Sequence, residues 1–98
     1  MMIAIRIHVR DGERLLAACD EELLGKTFTE GELRLRVSEV FYKGEVITEE
    51  TLRERMRSVT MMNLVGERAV SVALESGYVS EDATITIGGV KHAQAVVL

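Results

Sequence analysis

The chain contains one cysteine and two histidines, the residue types that most often supply nucleophiles, general bases and metal ligands. Cys19 precedes Asp20 directly, whereas His8 and His92 are far from it in sequence. A catalytic cysteine needs a base or cation beside it to form its thiolate, and a zinc site needs a more complete ligand set. We therefore predict no metal site and no cofactor. We interpret Cys19 as a buried or half-buried apolar side chain that is not a catalytic nucleophile.

The polar residues His92 and Gln94 follow a Gly88-Gly89 pair that separates two apolar runs. This pair predicts a two-residue hairpin turn, because glycine adopts positive φ without steric cost. In that register Ile85 pairs with His92, and the pleat places His92 and Gln94 on the apolar face of Ile85. We predict that both side chains point inward and are hydrogen-bonded. The alternative is a ligand-binding or catalytic site formed by four residues: Cys19, Lys91, His92 and Gln94.

Arginine accounts for nine of the twelve basic residues, and four arginines alternate with apolar residues in predicted strands. These four are Arg6, Arg10, Arg34 and Arg36. If the first and third strands share a sheet, its open face is basic and also carries His8. Such a face could bind the phosphates of RNA, although the sequence shows no exposed aromatic residues for base stacking. Solvated strand charges are the alternative interpretation.

The overall composition indicates a globular protein with a single domain over residues 1–98, with 47% hydrophobic and 29% charged residues. The net charge of −4 argues against a protein wholly devoted to nucleic acid. No apolar run approaches the roughly 18 residues of a spanning helix, and the N-terminus alternates in character instead of forming a signal peptide. A single cysteine suits a reducing compartment. We predict a cytoplasmic protein with no membrane partner.

Hydrophobic periodicity predicts an α+β fold with an antiparallel sheet of about five strands and two helices packed on one face. The predicted order is ββ-turn-β-αα-ββ. Strands are expected over residues 2–10 and 13–18 around an Asp11-Gly12 turn, over 33–38, and in a terminal hairpin of 83–87 and 90–97. Asp20 is predicted to cap a short turn that ends at Gly25. Helices are expected from Thr48 and over 64–76, either separate or bent at Asn63 or Gly66.

Three blocks of the chain resemble the signature blocks of one protein family. They are LAACDEELLGKTF at residues 16–28, NLVGERAV at 63–70 and IGGVKHAQ at 87–94. The family is a group of small archaeal proteins of about this length that is catalogued only as a domain of unknown function. The resemblance implies an archaeal, cytoplasmic, single-domain protein, and it implies no activity, substrate or catalytic residue.

Three classes of function fit these features. The favoured hypothesis is a non-catalytic module that binds RNA or a ribonucleoprotein through the arginine-bearing sheet face. The second is a small enzyme or ligand-binding protein with its site near Cys19, His92 and Gln94. The third is a structural subunit that joins a larger complex through a helix bearing Met56, Met61 and Met62, although methionines on a helix more often fill the core. The expected partners are RNA or a ribonucleoprotein, another protein, or a second copy of the chain. An enzyme is disfavoured, because a short chain with one sheet has little room for a pocket.

Overall fold

The computed structural model describes residues 2–98 of the chain. Its strands are β1 (Ile3–Arg10), β2 (Glu13–Asp20), β3 (Thr27–Glu30), β4 (Leu33–Arg36), β5 (Glu45–Ile47), β6 (Met61–Val65), β7 (Ile85–Ile87) and β8 (Val90–Val96). Its helices are α1 (Glu39–Tyr42), α2 (Glu49–Arg55) and α3 (Glu67–Glu75), with 3-10 turns at Glu21–Leu23, Met56–Ser58 and Glu81–Ala83. No helix within residues 2–98 has the length and apolar character needed to cross a membrane.

Six strands form the main sheet in the order β5-β1-β2-β6-β8-β7. The two predicted hairpins are confirmed: Ile7 pairs with Leu16 around the Asp11-Gly12 turn, and Ile85 pairs with His92 around the Gly88-Gly89 turn. Both residues of each turn have positive φ, as a two-residue turn of this type requires. The mixed α+β class is also confirmed. The sheet is mostly antiparallel, as predicted, but it has six strands instead of about five, and β2 and β6 pair in parallel at its centre.

The central strand β6 occupies residues that the periodicity assigned to helix. Met62 and Leu64 project to one face of the sheet while Val65 is buried on the other, so the segment is apolar on both sides. A short apolar run of this kind cannot be distinguished from a buried helix by period alone. The helices α2 and α3 are therefore separate, with β6 between them, and Gly66 turns the chain into α3 with φ of 106°.

One face of the main sheet is covered by α2 and α3, and the predicted placement of two helices on one face is confirmed. Leu52 and Met56 from the α2 region pack with Val70 and Val72 from α3 against Ile3, Ile5, Leu16 and Leu64. The favoured prediction that the methionines fill the core is confirmed for Met56 and Met62, and the alternative of a methionine-bearing helix surface is wrong. Met56 and Met62 are core residues with 0% and 2% exposure, and Met61 and Met62 belong to a strand.

The opposite face of the main sheet is covered in part by a separate two-stranded sheet, β3–β4, and by α1. The sequence predicted a strand over residues 33–38 in the main sheet, whereas the structure has a separate hairpin of Thr27–Glu30 and Leu33–Arg36. These two strands, β3 and β4, pair with each other across a tight turn at Gly31, which has φ of 62°. Leu35 and Phe28 anchor this hairpin on a second core that includes Ala4, Cys19 and Val65. Residues on both faces of the main sheet are consequently buried.

Candidate binding groove on the open half of the sheet

Side chains on the second face of the main sheet lie in rows that cross the strands. The first row contains His8, Leu15, Met61 and Val96. The second row contains Arg6, Ala17, Asn63 and Gln94, and the third contains Ala4, Cys19, Val65 and His92. The β3–β4 hairpin packs on the third row, where Ala4, Cys19 and Val65 are fully buried. The first row and the β8 end of the second row are left open.

The uncovered rows form a shallow depression that we call the open groove. A volume of about 270 Å³ is lined by Leu15, Met61, Asn63, Gln94 and Val96, with Met62 and Ala95 also contributing to its wall. A second depression of about 370 Å³ shares Leu15 and Met61 and continues towards His8, Arg10 and Glu13. The floor of the open groove is largely apolar with the amide of Asn63 at its middle, and amide, imidazole and guanidinium groups lie towards its ends.

Asn63 is held in one orientation at the middle of the groove. The hydroxyl of Tyr42 donates a hydrogen bond to Asn63 Oδ1 at 2.7 Å. Burial of Tyr42 raises the pKa of this hydroxyl to about 12, with a further contribution from Cys19, and it therefore remains protonated and able to donate. Because Oδ1 takes this bond, the amide nitrogen of Asn63 is left as the donor, and within residues 2–98 it has no protein acceptor.

The segment Val40–Tyr42 forms a wall beside β1 at one side of the groove. The rings of His8 and Phe41 stack with their centroids 4.7 Å apart, and the Nε2 atom of His8 donates to the Phe41 carbonyl at 2.8 Å. Arg6 donates through Nη1 to the Val40 carbonyl at 3.1 Å. These contacts place a half-buried aromatic pair and an exposed guanidinium together at the edge of the groove.

The predicted arginine face is only partly assembled. Arg6 and Arg10 project from β1 on the face of the groove, as expected from the alternation, and His8 lies between them. The prediction that Arg34 and Arg36 share this sheet face is wrong, because β4 pairs only with β3 and belongs to the separate hairpin. On that hairpin both arginines lie opposite the buried side of Leu35. The sheet that was expected to join the four arginines does not form.

Acidic neighbours reduce the positive charge at the β1 side. Arg10 pairs with Glu13 in the strand register, and its guanidinium lies 3.9 Å from the Asp11 carboxylate with both side chains 93% exposed. Such exposed pairs contribute little stability, but they lower the local net charge. Arg6 is the cation of the groove that has no acidic partner within residues 2–98.

The predicted polar site near Cys19 and His92 is not assembled. The two residues lie on strands separated by β6, so their backbones are roughly 10 Å apart. Cys19 is fully buried, as predicted, and burial together with Asp20 and Glu22 raises the pKa of its thiol to about 12. A thiol with this pKa is not ionised near neutral pH, which argues against a nucleophilic role. Within the described residues there is no cluster of potential metal ligands.

The prediction that His92 and Gln94 both point inward is half correct. His92 is half-buried, and its Nδ1 atom lies 3.0 Å from the Leu64 carbonyl. Gln94 is exposed, because the sheet face that it shares with Ile85 is not the face covered by the helices. The residues of β8 that point towards the helices are Ala93 and Ala95. Lys91 projects to the opposite face from His92 and lies 3.4 Å from Glu67, so it is not part of a site with His92.

Asp20 has a structural role that differs from the predicted one. Its carboxylate accepts hydrogen bonds from the backbone N–H groups of Arg68 at 3.1 Å and Ala69 at 3.0 Å, and so it caps α3 instead of the local turn. Asp20 is 2% exposed, and burial raises the pKa of its carboxyl group. Arg68 in turn pairs with Glu22. The sequence carries no local signal for this cap, because the capped N–H of Arg68 lies 48 residues after Asp20.

The fold and the site define a class: a small α+β protein whose mixed sheet has helices on one face and an open groove on the other. The chain matches the family model described as "Protein of unknown function (DUF424)" over residues 8–98, and it belongs to that family. Its structure is similar to that of an uncharacterized conserved protein from the archaeon Methanopyrus kandleri. The TM-score is 0.82 and the identity 32%, over 100% of this chain and 93% of that one. A comparison with curated proteins finds no match. The resemblance noted in the sequence is confirmed.

Proposed function

We propose that this protein binds single-stranded RNA, free or within a ribonucleoprotein, in the open groove. The observation that carries the proposal is an uncovered sheet surface that combines an apolar floor with side-chain amides that still have hydrogen-bonding groups to offer. The floor consists of Leu15, Met61 and Val96, and the amides belong to Asn63 and Gln94. Sheet surfaces that bind RNA accept unstacked bases, whose apolar faces stack on side chains, chiefly aromatic ones, and whose edges require hydrogen bonds.

The dimensions and chemistry of the groove support base binding more than phosphate binding. A row across four strands is about 14 Å wide, since neighbouring strands are about 4.8 Å apart. Asn63 offers a fixed donor, while the exposed amide of Gln94 can rotate to offer a donor or an acceptor. The His8–Phe41 pair supplies the aromatic wall that the sequence did not reveal, and Arg6 lies beside it for a phosphate.

The charge distribution predicts how strongly the affinity for RNA depends on salt concentration. Arg6 and Arg10 are the two arginines on the face of the groove, and Asp11 and Glu13 lie near Arg10. Neutralising two phosphates of a single strand gives a slope of log K against log salt of about −1.4. We expect a slope of this size or smaller, which is shallow compared with that of a basic RNA-binding protein.

The test measures fluorescence anisotropy of labelled single-stranded RNA at several salt concentrations, with a duplex of the same sequence for comparison. The double variant Arg6→Glu/Arg10→Glu should weaken binding at least tenfold. The matched control, Arg34→Glu/Arg36→Glu, makes the same change in charge on the separate hairpin and should weaken it much less. Gln94→Ala should weaken binding by about fivefold, as expected for one net hydrogen bond of about 1 kcal/mol.

Three outcomes would overturn the proposal: no RNA binding, equal loss in both charge-reversed variants, or full affinity in Gln94→Ala. Purification of tagged protein with and without RNase then separates an RNA ligand from a direct protein partner. A cytoplasmic location is part of the same proposal, supported by a lone buried thiol, and cell fractionation tests it.

A further inference from the structure

The outer edge of β8 is left open where β7 ends. The sequence predicted a longer partner strand that would pair Ala83 with Gln94, but β7 begins only at Ile85, and the residues before it form the 3-10 turn Glu81–Ala83. A notch of about 340 Å³ remains at this point, lined by Ala83, Ile85, His92, Ala93 and Gln94. Within residues 2–98 no strand lies beside Gln94 and Val96 on this side.

The backbone groups at this edge have a defined direction. The carbonyl of Lys91 accepts from Gly66 and the N–H of Val97 donates to Thr60, so the odd-numbered residues of β8 bond towards β6. In an antiparallel ladder the residues between them direct both backbone groups to the other side. The N–H and C=O groups of Gln94 and Val96 therefore point out from the edge, where an added extended strand could satisfy them.

The side chains at this edge give it none of the usual protection against strand pairing. Residues 93–97 contain no charge, proline or glycine. Val96 is 66% exposed and Ile85 46% exposed, and both lie on the same face. Proteins normally protect an open edge with lysine, proline or a bulge. The free half of β1, on the far side of the sheet, follows that rule because it carries Arg6 and Arg10.

We propose that two copies of this chain associate through the outer edges of their β8 strands. An antiparallel pair related by a two-fold axis at Val96 places Val96 of one copy opposite Val96 of the other. This two-fold arrangement satisfies both copies, because the outward N–H and C=O groups of Val96 in one copy meet the C=O and N–H groups of Val96 in the other. The two main sheets then form one continuous sheet, and the exposed valines become a cross-strand apolar pair. This inference does not depend on RNA binding.

The test is a concentration series by light scattering coupled to gel filtration. The mass should rise from the 10.9 kDa of a single chain towards twice that value as the concentration increases. Val96→Lys places a charge on the edge and should keep the protein monomeric at concentrations where the parent chain is mostly dimeric. Val9→Lys is the matched control, since Val9 is 64% exposed on β1, and it should dimerise like the parent.

Amide hydrogen exchange provides a second measurement that locates the contact. The N–H groups of Gln94 and Val96 should exchange at least tenfold more slowly at high than at low protein concentration. Those of Ala93 and Ala95 already bond to β6 and should change little. A monomer at every concentration, equal dissociation in Val96→Lys and Val9→Lys, or concentration-independent exchange at Gln94 would overturn the proposal.

Discussion

At the scale of single residues, the fold holds the protons of Cys19 and Tyr42 tightly. Burial raises the pKa of the Cys19 thiol from 9.0 to about 12 and that of the Tyr42 hydroxyl from 10.0 to about 12. The folded state therefore binds these protons more strongly than the unfolded state does. Their contribution to stability is fully present below pH 9 and is lost as the pH rises towards 12.

Replacing Cys19 separates the contribution of its thiol to the pH dependence of stability from that of the Tyr42 hydroxyl. We expect the urea midpoint of the parent protein to fall more steeply between pH 9 and 12 than that of Cys19→Ala, because the variant has only Tyr42 left to ionise in the core. Cys19→Ala should be slightly less stable at pH 7 owing to lost packing, and the two curves should converge at high pH. Parallel curves, or rapid stoichiometric alkylation of native Cys19 at pH 8, would contradict this account.

At the scale of elements, the junction between β6 and α3 depends on Gly66. Its φ of 106° disfavours any side chain, and an added Cβ would lie 2.4 Å from Cγ of Asp20, the residue that caps α3. The clash involves a buried carboxylate that is already bonded to two backbone N–H groups. It therefore cannot be relieved without loss of the cap.

Gly66→Ala should consequently destabilise the protein severely, by about 3 kcal/mol or more from backbone strain and the lost cap together. Gly77→Ala is the control, because Gly77 also has a positive φ of 80°, but an added Cβ there would have no neighbouring atom within 4 Å. It should cost about 1 kcal/mol from strain alone. Urea denaturation measures both values, and equal losses would show that the Asp20 contact is unimportant.

The same elements show what the sequence could and could not predict. The two hairpins were predictable in register because their turns depend on adjacent residues, Asp11-Gly12 and Gly88-Gly89. The strand β6 was not, because a five-residue run that is apolar on both faces has no period of its own. The hairpin β3–β4 and the open groove depend on how far one layer extends over another. The extent of this coverage depends on tertiary packing, and it is the reason that His92 is half-buried while Gln94 is exposed.

At the scale of the whole molecule, the two faces of the main sheet differ in what covers them. The face under α2 and α3 is closed by a continuous apolar core, whereas the other face is closed only where the β3–β4 hairpin and α1 pack. Acidic residues are numerous on the two helices, which carry Glu49, Glu50, Glu54, Glu67 and Glu75. With Arg53, Arg55 and Arg68 also on them, these helices account for −2 of the net charge of −4, and this part of the negative charge lies on the face away from the open groove.

The parallel pairing of β2 with β6 has a consequence for the order in which the chain can fold. It joins segments far apart in sequence, as the contact between Arg14 and Thr60 shows with its separation of 46 residues. Such non-local pairing raises contact order and slows folding, because a long loop must close before the contacts form. A fragment that ends at Val59 should remain a fluctuating hairpin without cooperative thermal unfolding by circular dichroism, and a sharp transition in it would refute this. During synthesis, the first sixty residues would therefore remain open to proteases and chaperones until β6 leaves the ribosome.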